Sequence, residues 1–252
     1  MWRHEPERQA IEHAGRLEHP EHSAGQERRE TGRLEALSDG VFAIAMTLLV
    51  LSIPIPARDQ TITSAVLLQR ALLHNYAWLS LVTYVVSFLT ILVMWMNHHY
   101  MFQYVARIDR FFVIANGLLL MLIVFVNYPT ALVANFVGTA GGEFAAAAYN
   151  ATLIIVALLY NALWFRIIGG RRLLVADASA AEIASYTRQY LIGGPLYVVA
   201  FGLAFVNPGL SIALDAALAI FWAFTGNIVR RQDHQPARRP KEEADQSGQV
   251  GR

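Results

Sequence analysis

Several polar residues stand beside or inside long apolar runs, and their types and spacing define the chemistry open to the chain. Arg33, Ser38 and Asp39 lie just before Val41–Ile53, a run without an ionisable side chain. Ser or Asp at that place can cap a helix start, satisfying its free amides and its positive end. Arg33 is also close enough in sequence to pair with Asp39. His98 and His99 close a second apolar run and invite metal binding, proton relay or plain hydrogen bonding. Neighbouring residues on a helix point about 100° apart, so the two are a poor chelating pair, and no metal or cofactor is assigned. Asn116 and Asn127 are eleven residues apart, about three turns, and share one face of a third run. Asp215 is the one acid well inside a late run, a functional candidate by position. Within the first run Ile44, Thr47 and Leu51 form one stripe at i, i+3 and i+7. Ordinary packing explains such a stripe, with the threonine hydroxyl returned to a backbone carbonyl. Copies of the stripe around an axis would instead give a hydroxyl ring between apolar constrictions that could gate by dewetting.

These residues need elements to hold them. The chain has 252 residues, 55% hydrophobic and 15% charged, where soluble domains carry about 25% charge. That composition predicts an all-α polytopic membrane protein. A net charge of +1 without a basic stripe gives no nucleic-acid partner, and zero cysteines exclude disulfides and thiolate metal sites. Apolar length predicts six spans at about 36–53, 76–97, 111–134, 144–168, 190–206 and 210–229. Pro54 and Pro56 end the first, and Gly193-Gly194-Pro195 predicts a kink or late start in the fifth. Residues 178–183 suit a short amphipathic helix at the membrane surface. Residues 1–32 form a charged tail without the apolar core of a signal peptide, and 231–252 read as a disordered tail. Arginines cluster in the even-numbered loops and at the C-terminal end, which predicts both termini on the cytoplasmic side. The polar start of span 1, the end of span 2 and the start of span 3 then share one membrane face.

The chain contains no Thr-Val-Gly-Tyr-Gly filter, no phosphate-binding Gly-Lys-Ser/Thr loop, no arginine ladder and no Gly-x-Ser-x-Gly elbow. It is not read as an enzyme. The Ser-Asp-Gly stretch occurs once, which disfavours an inverted-repeat transporter within one chain.

Arg33-x-x-x-Leu37-Ser38-Asp39-Gly40 with Ala45-Met46-Thr47, then Trp95-x-Asn97-His98-His99-x-x-Phe102, then Asn116 with Tyr128-Pro129-Thr130, resemble a known family. It is transmembrane protein 175, the endolysosomal potassium channel, with its prokaryotic homologues. Leu37 stands where the family signature has Phe. The resemblance implies a six-helix subunit whose first helix lines a pore shared by an oligomer, four subunits in prokaryotes, because one copy cannot enclose a pore. It makes Ile44 the apolar constriction, Thr47 a threonine layer beneath selectivity and Leu51 a further apolar ring. Arg33, Ser38, Asp39, His98, His99 and Asn116 become the polar network that holds the helix. The expected function is passive, potassium-permeable conduction in a prokaryotic cytoplasmic membrane, with potassium ions and lipid as partners. A proton-coupled secondary transporter using Asp39, the histidines or Asp215 is the alternative, and a non-conducting membrane scaffold is a third reading.

Overall fold

A computed structural model describes residues 5–53, 77–136, 138–169, 173–176 and 178–232, with side chains described only within 25–223. The loop carrying Arg58 and Arg70 and the tail from 233 onward lie outside the described residues. The described chain is helical apart from short connections. The helices are α1 (Glu5–Leu48), α2 (Ala77–Gln103), α3 (Arg110–Phe125), α4 (Asn127–Phe136), α5 (Gly142–Gly169), α6 (Ala180–Ala204) and α7 (Pro208–Gln232). Consecutive α3 and α4 make one span, so six spans result. By length and composition four stretches can cross a membrane, Gly25–Leu51, Leu81–Gln103, Arg110–Phe136 and Gly142–Gly169. The shorter apolar helix Pro208–Ala223 and α6 complete the bundle.

The helix ends follow from local chemistry. Helix α1 tightens into a 3-10 turn, Leu49–Ser52, and Ile53 turns extended with ψ 117°, as expected of a residue before Pro54. Asp109 caps α3 by accepting from Phe112 N at 2.8 Å. Ser179 and Glu182 form a reciprocal capping box at the start of α6. That cap merges the expected surface helix with the fifth span, and α6 continues through Gly193, Gly194 and Pro195 rather than starting after them. Pro129 lacks an amide hydrogen and crowds the carbonyl four residues back, which accounts for the break between α3 and α4.

Helix α5 is the central element. It packs on α3, α4, α6 and α7, and buries Tyr149, Leu153, Leu163, Trp164 and Ile167 almost completely. Helix α1 lies to one side against α2 and α3, burying Phe42, Ala45 and Leu49. On the side of the bundle that holds the ends of α2 and α5, Ala106 N donates to Leu173 O and Val175 N to Tyr104 O, stitching those two ends together.

Candidate functional site

The site is built on α1 by two opposed faces. One holds the buried stripe Ser38, Phe42, Ala45 and Leu49, at spacings of four, three and four, turned to α2 and α3. Leu37, Ile44, Leu48 and Leu51 are exposed on the other, at 59%, 56%, 40% and 76%. Thr47 is on the exposed side, and its hydroxyl donates to Ile44 O at 2.9 Å. A hydroxyl whose hydrogen is used in this way keeps its lone pairs for another group.

On the buried side one polar chain joins three spans. His98 Nε2 lies 2.9 Å from Asn116 Oδ1, Asn116 Nδ2 donates to Ser38 Oγ at 3.0 Å, and Ser38 Oγ donates to Leu34 O at 2.8 Å. Because Asn116 Oδ1 can only accept, the chain requires the His98 hydrogen on Nε2. His98, Asn116 and Ser38 are each fully buried. Phe102 stacks on the His98 ring at 4.5 Å and Phe42 tilts against it at 5.2 Å, closing the cluster with aromatic surface.

A second set of contacts runs along α1 beside this chain. Glu27, Glu35 and Asp39 meet Arg107, His99 and Trp95 respectively. Arg107 Nε is 2.6 Å from Glu27 Oε2, His99 Nδ1 is 3.1 Å from Glu35 Oε1, and Trp95 Nε1 donates to Asp39 Oδ1 at 2.9 Å. The Glu35–His99 approach is within ion-pair range but off the hydrogen-bond line. Steps of eight and four along α1 are matched by steps of eight and four backward along α2 and its exit loop. Two antiparallel helices in fixed register produce that pattern, so the contacts set how far α1 slides along α2.

Arg33 does not join them. It is exposed and has no ion pair among the described residues. Six residues on one helix separate Arg33 and Asp39 by about 120° around the axis, so the expected pair cannot close. Ser38 is no N-cap either, since α1 runs unbroken through 38–40, across the expected tail boundary at 32. Sequence reading missed Trp95 as the donor to Asp39 and Glu35 as the partner of His99. The available signal was the matching four-residue spacing of Glu35 with Asp39 and of Trp95 with His99.

Asp109 Oδ2 accepts from Arg166 Nε at 2.8 Å and ties the start of α3 to the end of α5. Partial burial pushes this carboxyl upward, but hydrogen bonds from Arg166 and Phe112 N outweigh it and hold Asp109 below its ordinary range. Asp215 lies apart from α1, buried two turns into the N-terminal half of α7. Asn150 Nδ2 reaches its Oδ2 at 3.2 Å and Ser211 Oγ at 2.9 Å. Sequence reading found no partner for Asp215, because Asn150 comes from a different span. Among the described residues no group of three acidic, histidine or cysteine side chains could hold a metal ion.

Residues 33–126, which carry the Ser38–Asn116–His98 chain and the Asp39–Trp95 and Glu35–His99 contacts, match the model of the family described as endosomal/lysosomal potassium channel TMEM175. A potassium channel of Chamaesiphon minutus is 44% identical over 201 residues, 80% of this chain and 97% of that protein. A potassium channel of Streptomyces collinus is 39% identical over 198 residues, 77% of this chain and 92% of that protein. The crystal structure of a lysosomal potassium-selective channel TMEM175 homolog from Chamaesiphon minutus superposes with a TM-score of 0.69 at 42% identity. It covers 79% of this chain and 99% of that one.

Proposed function

The chain belongs to the endosomal/lysosomal potassium channel TMEM175 family, and on that premise we propose that α1 from four identical subunits lines one axis and conducts potassium passively. The observation that carries this reading is the exposure of Ile44, Thr47, Leu48 and Leu51 on the helix whose other side is fixed by polar contacts to α2 and α3. A single α1 cannot enclose a pore, so copies must supply the remaining wall. Fourfold symmetry would stack an Ile44 ring, a Thr47 ring and a Leu51 ring along the axis. Branched apolar rings narrow the path and disfavour a continuous water column when closed. Between them, Thr47 hydroxyls that have given their hydrogens to Ile44 O offer oxygen lone pairs to a partly dehydrated cation. Selectivity would then rest on side-chain oxygens and a narrow apolar wall. The polar contacts of Ser38, Asp39, Trp95, His98 and Asn116 would hold the tilt and depth of α1 on which ring diameter depends. The arginine distribution supports cytoplasmic termini in a prokaryotic cell membrane.

Liposomes containing the purified protein should pass potassium faster than sodium without a coupling ion. Thr47→Ala should reduce that preference by about fivefold, the equivalent of about 1 kcal/mol of differential interaction, while Thr47→Ser should keep most of it. Ile44→Ala should raise the leak of both ions. Unchanged flux and preference in all three variants would defeat the pore assignment.

A further inference from the structure

We propose that Asp215, Asn150 and Ser211 form a second, non-pore binding site for a monovalent alkali cation between α5, α6 and α7. The site is separate from the pore-lining face of α1. Asp215 is 1% exposed, and Asn150 and Ser211 are fully buried. Asn150 Nδ2 faces three acceptors, Ala146 O at 3.1 Å, Ser211 Oγ at 2.9 Å and Asp215 Oδ2 at 3.2 Å. A rotated amide would turn its oxygen toward all three, so the orientation is fixed. An NH2 group has two hydrogens for those three acceptors, and Asp215 Oδ2 is the longest of the contacts. Ser211 cannot help, because its own hydrogen goes to Ala200 O at 2.8 Å.

Two oxygens then remain. Asp215 Oδ1 and Asn150 Oδ1 are both buried and lack a partner among the described residues. Among the described residues no arginine, lysine or histidine partners Asp215. The titratable side chains whose fields reach Asp215 are Tyr149 on α5 and Tyr197 on α6, phenols that bring no positive charge. Every unmet requirement in the cluster is therefore for positive charge or a donor, and none is for an acceptor. Carboxylate, amide and hydroxyl oxygens are hard ligands suited to alkali and alkaline-earth ions, not to the metals that favour histidine or thiolate. With one carboxylate the site carries at most one negative charge, which a monovalent ion neutralises and a divalent ion would over-compensate. Asn207, Ser211 and Asp215 follow one another at four-residue steps down one face of α7 from an exposed turn. The stripe runs from the exposed Asn207 at the N-terminal end of α7 to the buried Ser211 and Asp215.

Thermal unfolding of the full chain in detergent, with choline chloride replaced stepwise by sodium or potassium chloride at constant ionic strength, tests the proposal. Wild type should gain stability saturably. An ion at 100 times its dissociation constant shifts the folded-to-unfolded ratio by about 100-fold. Asp215→Asn should lose that gain. Thr47→Ala should retain it, which separates this site from any ion in the pore and keeps the result independent of the conduction reading. Wild-type crystals grown in rubidium should show anomalous density beside Asp215 Oδ1 and Asn150 Oδ1, a readout that does not require a folded variant. Cation-dependent stability retained in full by Asp215→Asn, stabilisation by acid alone without a cation effect, or no rubidium density at the cluster would each overturn the assignment.

Discussion

Two buried polar clusters sit toward opposite ends of the bundle and differ in how their donors and acceptors balance. In the Ser38–Asn116–His98 cluster each hydrogen passes to the next acceptor and ends on Leu34 O, leaving only His98 Nδ1 unmatched among the described residues. In the Asn150–Ser211–Asp215 cluster three acceptors compete for one amide, and Asp215 Oδ1 and Asn150 Oδ1 remain without a partner among the described residues. A nearly closed chain of neutral groups acts as a joint, because every member is worth most when all are in place. An open set with surplus negative charge acts as a receptor, because something must complete it. Serine and asparagine thus serve opposite purposes in the two clusters according to a count of hydrogens.

The largest effect should come from breaking the joint at its centre. Asn116→Leu removes the acceptor of His98 Nε2 and the donor to Ser38, leaving a buried N–H without a partner. The expected loss is about 3 kcal/mol, since each stranded buried polar group costs about 1–3 kcal/mol. Denaturant titration in mixed micelles measures it, and the loss should be equal in sodium, potassium and choline. A cost below about 1 kcal/mol, within the range of an ordinary net hydrogen bond, would show that the cluster relaxes freely and is no joint.

A smaller effect should follow at the edge of the joint. Trp95→Phe keeps an aromatic ring against His99, 5.8 Å away in the native protein, but removes the N–H that Asp39 accepts. A hydrogen bond to an ionised group is worth about 1.5–3 kcal/mol. The part-buried position and the remaining contacts of α1 should reduce the loss to about 1–2 kcal/mol. On the proposed pore reading, conduction should change more than stability does, because Asp39 lies about one and a half turns before Ile44, the proposed constriction. Native conductance in a destabilised Trp95→Phe protein would separate the clamp from the pore.

The helices are legible in the sequence where apolar length alone decides. Four helices long and apolar enough to cross a membrane coincide with long, largely uncharged runs in the sequence, since a backbone in lipid has no alternative to internal hydrogen bonding. Contacts between spans are less legible. The pairing of Arg33 with Asp39 fails on helical geometry, because proximity in sequence is not proximity on a helix face. Trp95 and Glu35 could be found only by aligning two antiparallel helices residue by residue, and the depth of each span is not written in its hydropathy. Asp215 stands out as an intramembrane acid, but its partner Asn150 resembles any single amide in an apolar run. Ser179, by contrast, carries its signal locally, with Glu182 three residues on, and could have placed the start of α6.

The smallest effect belongs to the pair outside both clusters. Asp109 accepts from Phe112 N and from Arg166, and these bonds hold its carboxyl below the ordinary range. A carboxyl depressed in the folded state contributes stability that is present above its unfolded value and is lost as pH falls through the folded one. The pair is partly exposed, so solvent screening limits its worth to about 0.5–1 kcal/mol. Asp109→Asn keeps an oxygen for the Phe112 amide but gives up the charge facing Arg166. It should therefore lose only that increment at neutral pH, and the difference from wild type should vanish in strong acid. Raising salt should shrink the same difference, whereas the cost of Asn116→Leu, which involves neutral groups away from solvent, should not respond. A difference that survived both acid and salt would mean that Asp109 acts through its helix cap rather than through Arg166.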